Sequence, residues 1–384
     1  MTAAAARLLV VVLGALAVLL LAGPAQAHVG GGAAGSDYDA RVLSVDPALP
    51  GVAVRVLSFG DELEVVNPTG TEVEVPGYSD EPYLRIGPDG VWRNANSPAT
   101  YINLDRFGRV SLPENADPAA EPDWVQVSTQ TGYVWHDHRT HWMSEDLLPP
   151  QVAADPTREH LVSSWVVPMT HGGTPVQVRG ELTWSPPPPG WVVWPLYAVL
   201  ALAPLAAALA GRGPRPLGVL LAVGGSAAAY HAATTPEPAA SVSSHAGALV
   251  SALLPGLLAL AVAVGGLVAA GRGRGGLTAL LAVVLGWLLL VQGLPDVDVL
   301  WTANVLAEGP VLLTRASVAV LVALGAGCVV GGLVGTRRFR ESRRPADGSL
   351  TRGQESPAAA PSRAPSRACE GRGGGGPSPT PSRR

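Results

Sequence analysis

The chain has 384 residues, room for more than one folded unit. Charged residues make up 15%, well below the roughly 25% of an ordinary soluble domain. Mean hydropathy is +0.26, which argues against a wholly soluble chain. The only two cysteines, Cys328 and Cys369, lie near the C-terminus. An N-terminal domain without Cys forms no disulfide and offers no thiolate to a metal, so soft-ligand chemistry there falls to His and Met.

Residues 1–27 have the layout of a signal peptide. Arg7 supplies the basic start, 8–23 an apolar run, and Ala25-Gln26-Ala27 the small-x-small cleavage pattern. Cleavage there makes His28 the first mature residue, with a free α-amine of pKa about 7.7–8.0.

Residues 28–188 read as an all-β sandwich, Ig- or cupredoxin-like, outside the cytoplasm. Short alternating or apolar runs recur at 40–45, 52–59, 62–67, 71–77, 83–87, 91–94, 99–104, 124–128, 161–169 and 174–184. Turn residues such as Asn67-Pro68-Thr69-Gly70 and Gly172-Gly173 separate them. Many short strands at this spacing predict a sandwich or barrel. Over 28–190 there are 9 Arg against 22 Asp and Glu, a net −13. That charge argues against nucleic acid as a partner and suits a domain that meets cations.

After the stiff hinge Ser185–Gly190, five apolar segments follow, at about 191–211, 217–233, 246–270, 276–294 and 313–335. Each is near the length needed to cross a bilayer, which predicts an all-α bundle of five transmembrane helices over 189–336. Arg clusters in the loops at 212–216 and 271–275 and after the last span, whereas the alternate loops carry Glu237, Asp296, Asp298 and Glu308. This alternation predicts a multi-pass cell-membrane protein with its N-terminal domain outside and its tail in the cytoplasm. Residues 337–384, rich in Pro, Ser, Gly and Arg, read as a disordered basic tail. No span carries a mid-membrane Asp, Glu or Arg, so a transporter is a weak reading of the helices.

The residues with most chemistry are in Trp135-His136-Asp137-His138-Arg139-Thr140-His141-Trp142-Met143. This stretch holds three of the 8 histidines and one of the 3 methionines. On an extended strand His136 and His138 share a face. His141 joins them if the chain turns at Arg139-Thr140, and Met143 adds a thioether. Asp137 points away unless it accepts from a ligand imidazole. Neutral imidazoles suit copper, zinc, nickel or iron, and a thioether favours copper, especially Cu(I). His28 adds an amine and a ring, so the candidate metal ligands are His28, His136, His138, His141 and Met143. Glu159, His160, Met169 and His171 are further candidates in the same domain, with Met169 and His171 able to reach one end of the sandwich. His160 and His171 individually have ordinary structural readings, and His231 and His245 sit at span ends as interfacial residues.

His28-Val29, directly after Ala25-Gln26-Ala27 and heading a sandwich that precedes helices, resembles the exported copper proteins of the CopC and YcnI type. The resemblance implies a β-sandwich with His28 as copper ligand. The functional expectation is a membrane-anchored copper-binding protein for trafficking or homeostasis, not an enzyme. Its partners would be the metal ion, the bilayer and another exported copper protein. The alternatives are a non-catalytic surface interaction module with structural histidines and, third, a His-metal enzyme. No G-x-S-x-G, H-E-x-x-H or Gly-rich phosphate loop is present to name a reaction.

Overall fold

In a computed structural model the chain is described over residues 33–236, 238–239 and 245–341. The expected signal peptide, His28 and the tail beyond 341 lie outside the described residues, as does the His245 side chain. The described chain has a β-rich N-terminal region followed by helices.

Among the described residues, the strands are β1 Gly35–Ser36, β2 Tyr38–Asp46, β3 Ala53–Leu57, β4 Glu62–Val66, β5 Val73–Pro76 and β6 Pro82–Gly87. They continue with β7 Gly90–Asn94, β8 Trp124–Ser128, β9 Gly132–His136, β10 His160–His171, β11 Thr174–Trp184 and β12 Asn304–Val305. One antiparallel sheet has the order β2-β11-β10-β5-β6-β7-β8 and another the order β3-β4-β9. The alternation expected of half-buried strands is plain in β11, where Val176, Val178, Leu182 and Trp184 are buried and their neighbours are not. Both sheets feed one apolar core: Leu63, Val65 and Trp135 from the smaller, Val75, Leu84, Ile86, Trp165, Val167 and Met169 from the larger. Burying each such side chain contributes about 1.5–3 kcal/mol before entropy is set against it.

One expected strand is not a strand. Residues 99–104 hold the short helix α1, Ala99–Ile102. Ser97 and Pro98 start it, since Ser97 Oγ accepts from the Ala99 N–H at 3.2 Å and Pro98 O from the Ile102 N–H at 3.0 Å. A proline at a helix entrance leaves no unsatisfied N–H of its own. A second short helix, α2, spans Pro150–Ala154.

The helical half comprises α3 Gly190–Leu209, α4 Arg215–Ala233, α5 His245–Gly271, α6 Gly275–Gly293, α7 Val311–Ala319 and α8 Gly325–Glu341. A π-helical turn at Val320–Leu324 joins α7 to α8 in one continuous span. Five helices are thus long and apolar enough to cross a membrane, at the places the hydropathy of the sequence predicts. The chain is accordingly read as a multi-pass membrane protein. Small residues set the helix spacing at Gly331-Gly332. A Cβ on Gly331 would meet the Pro204 backbone at 2.6 Å, and one on Gly332 the Ala279 carbonyl at 2.7 Å. The last helix continues past residue 336 into the segment read as tail, and Arg338 donates to carbonyls at the end of α3.

The two halves are joined by more than the hinge. Strand β1 pairs antiparallel with β12, which lies in the loop between α6 and α7: Gly35 is opposite Val305 and Ser36 opposite Asn304.

Candidate metal centre

The register of β9 against β4 places His136 opposite Glu62 and Trp135 opposite Leu63. Side chains alternate along β9 and just beyond it. Trp135 and Asp137 turn into the core, while His136 and His138 stand on the other face, partly exposed. The strand then breaks. Thr140 N–H donates to Asp137 O at 3.2 Å, and Thr140 Oγ1 donates to Asp137 O at 2.8 Å and to Gly60 O at 2.5 Å. This turn, at the position the sequence required, carries His141 back beside the other two.

Gly60 is indispensable to it. Its φ is +120°, and a Cβ there would lie 2.7 Å from Thr140 O and 2.9 Å from Ala40 Cβ. Only glycine tolerates that backbone beside so close a neighbour.

The three rings converge. Centroid separations are 5.1 Å for His136–His138, 4.7 Å for His136–His141 and 5.5 Å for His138–His141. One nitrogen from each ring lies within 4.8 Å of one from each of the others. Two nitrogens of a tetrahedral site with Zn–N bonds of 2.0–2.1 Å are about 3.4 Å apart, so the rings must draw together by no more than about 1.4 Å to share an ion.

Each ring also has one nitrogen facing a backbone carbonyl. His136 Nε2 is 3.3 Å from Arg106 O, His138 Nε2 is 2.9 Å from Asp105 O, and His141 Nδ1 is 3.0 Å from Trp142 O. A carbonyl only accepts, so each of these nitrogens carries a proton, and in the neutral ring the lone pair is left to the other nitrogen. In the neutral rings the lone pairs are on His136 Nδ1, His138 Nδ1 and His141 Nε2. His141 Nε2 is buried with no hydrogen-bond partner. Backbone carbonyls that fix the tautomer and aim of a ligand imidazole are the usual outer shell of a His-bound metal.

Burial favours the neutral form of two rings. It lowers the His136 pKa and brings that of His141 down to about 4, with the Arg106 guanidinium and the neighbouring rings adding to the effect. At neutral pH a metal therefore displaces no proton from His141.

Asp137 does not orient a ligand. Its buried carboxylate accepts from Trp135 Nε1 at 2.9 Å and from Arg139 Nε and Nη2 at 2.8 and 2.6 Å. Burial alone would raise its pKa, but the Arg139 bonds and charge outweigh that and hold it low. Tyr78 stacks on His138 with centroids 5.8 Å apart, and its hydroxyl accepts from the His138 N–H at 3.0 Å.

The loop 103–109 was not singled out by sequence reasoning, yet it supplies two of the three carbonyls. Arg106 anchors it to Asp61 at 2.8 Å, and Arg109 pairs with Glu145 at 2.9 Å. Gly108, with φ +66°, passes so close that a Cβ would be 3.1 Å from His138 Cε1. Nothing in its local sequence, Arg106-Phe107-Gly108-Arg109, announces this.

Of the remaining candidates, Met143 is 40% exposed on the segment beyond His141. His28 lies outside the described residues, but Ala33, five positions on, lines a cavity of about 310 Å³ together with His141. His160 Nε2 faces Asp155 O at 2.6 Å, and Met169 is core. His231 is not merely interfacial, because it pairs with Asp296 at 3.1 Å. Among the described residues, the group of three or more His, Cys, Asp or Glu placed to hold a metal is the triad alone.

In comparisons with protein families, curated proteins and solved structures, nothing matches this chain.

Proposed function

We propose that the chain is a membrane-anchored, extracytoplasmic metal-binding protein that serves copper trafficking or homeostasis. The observation that carries this reading is the convergence of His136, His138 and His141, each with one nitrogen tied to a backbone carbonyl and the other free. Three neutral nitrogen donors without thiolate accept copper or zinc. Copper is preferred because Met143 follows the triad on an exposed segment and offers a thioether. His28, made N-terminal by cleavage, lies five residues before a cavity wall shared with His141, within the roughly 17 Å that such a segment spans. The resemblance to CopC- and YcnI-type proteins supports the same ligand. We take the β region as a sandwich of the Ig or cupredoxin kind, held outside the cell by the Arg-rich inner loops.

The protein is read as a carrier rather than a catalyst, with the ion, the bilayer and a second exported copper protein as partners. The test is the copper content and affinity of the full-length protein in detergent. A His136→Ala/His138→Ala double variant is expected to lose one copper equivalent. Wild-type affinity in that variant overturns the assignment.

One observation favours a second reading, a surface interaction module with structural histidines. Every ring of the triad already has a hydrogen-bonded nitrogen, which is what a packed, metal-free histidine also needs. Melting temperatures unmoved by chelator and by added copper would favour it.

A further inference from the structure

The cavity beside His141 has two walls of different origin. One is Ser58, Asp61, Arg106, His141 and Trp142 of the β region; the other is the segment Ala33–Tyr38. That second wall is not held by the sheets alone.

Its hydrogen bonds run to the loop between α6 and α7. The Gly35 N–H donates to Asp298 Oδ2 at 3.1 Å, the Leu306 N–H to Ala34 O at 2.8 Å and the Ala303 N–H to Asp37 Oδ1 at 2.8 Å. Asn304 Nδ2 adds a contact to Tyr38 O at 3.3 Å. The fit is tight, since a Cβ on Gly35 would be 2.1 Å from Thr302 Oγ1. Ala34 is buried in an apolar cluster with Val299, Leu300, Val318 and Ala319 of the helical half.

The loop in turn is clamped to three spans. Arg315 of α7 donates to Val299 O, Thr302 O and Ala303 O at 3.0, 2.6 and 2.9 Å. Tyr197 of α3 donates to Leu300 O at 3.1 Å. From α4, His231 pairs with Asp296, and Thr234 O accepts from the Glu308 N–H at 3.0 Å.

We propose that the metal site is coupled to the helical half: the loop 294–310 holds in place the segment 33–38, one wall of the chamber that His141 lines beside the triad. This rests on the metal reading above. The helices then act on the binding site through that segment and are not only its anchor. An ion that draws His141 inward acts on the same chamber that β1 closes, so occupancy and the β1–β12 pairing share a coupling free energy. Such coupling is reciprocal.

The experiment uses the full-length protein in lipid nanodiscs with Cu²⁺ as probe. Saturating Cu²⁺ is expected to slow hydrogen exchange at the amides of Ala303 and Leu306. Asp298→Ala, which removes the acceptor of the Gly35 amide, is expected to weaken Cu²⁺ binding about fivefold or more without touching a ligand. Asn304→Ala is the milder variant if Asp298→Ala fails to fold, and a smaller loss in the same direction is expected. If wild type binds Cu²⁺ through the triad but the two amides exchange unchanged and both variants bind normally, the coupling is wrong and the metal reading stands. If wild type binds no Cu²⁺, both fall.

Discussion

The ring of His138 hangs from the carbonyl of Asp105, thirty-three residues earlier in the chain, through a bond of 2.9 Å. That bond and its equivalent between His136 and Arg106 decide which nitrogen of each ring is available. The aim of the triad is therefore set by the loop 103–109 as much as by β9.

Gly108→Ala tests this directly. The new methyl would press on His138 at a backbone conformation that disfavours any side chain. A stability loss of about 1–2 kcal/mol is expected from the backbone alone. Metal affinity is expected to fall roughly 10- to 100-fold, the usual effect of disturbing an outer shell. Calorimetric titration beside a thermal melt separates the two, and unchanged affinity would show that the loop does not aim the ring.

Removing the Asp137 carboxylate should act on folding first. Asp137→Ala strands the half-buried Arg139 guanidinium, for which a loss of about 3 kcal/mol is expected, at the low end for a broken buried pair. Urea denaturation reads it. Because Asp137 touches no ring of the triad, copper bound per folded molecule is expected to stay at the wild-type level.

Without metal, the protein should lose stability as pH falls. A ring whose folded pKa is about 4 and whose unfolded pKa is near 6.5 binds a proton only in the unfolded chain between those values. Stability then rises with pH through that window and is lost on the way down, by at most about 3 kcal/mol from His141. His136, also lowered, adds in the same direction. His141→Phe removes its share of the slope, and denaturation midpoints from pH 4 to 7 measure it.

Metal should stabilise the fold by mass action. At free copper one hundred times the dissociation constant, about 2.7 kcal/mol is expected, and a chelator should reverse it. A melting curve that ignores both additions contradicts a site formed only in the native state.

Much of this protein is legible without coordinates. The five spans follow from hydropathy, because a bilayer demands runs of apolar residues that nothing else in the chain resembles. The strands around Val176–Trp184 follow from their period of two, and the shared face of His136 and His138 from the same rule. The turn that returns His141 was visible as the one condition for a third ligand. Residues 99–104 misled because their alternation resembles a strand, while the real determinant was Ser97-Pro98 just before them.

The rest depends on residues distant in sequence. Asp105 and Arg106 show no metal-site signature, since a backbone carbonyl is common to every residue. Gly60 and Gly108 matter only because Thr140 and His138 arrive beside them. The pairing of Gly35 with Val305, across two hundred and seventy positions, leaves no trace in a two-residue strand. Periodicity and composition determined which segments are long and apolar enough to cross a membrane and which face of β9 its histidines occupy, because those are local properties. Only the tertiary structure decided which carbonyl each ring meets and which loop holds the segment beside His141, because both depend on contacts made after the sheets and helices have packed.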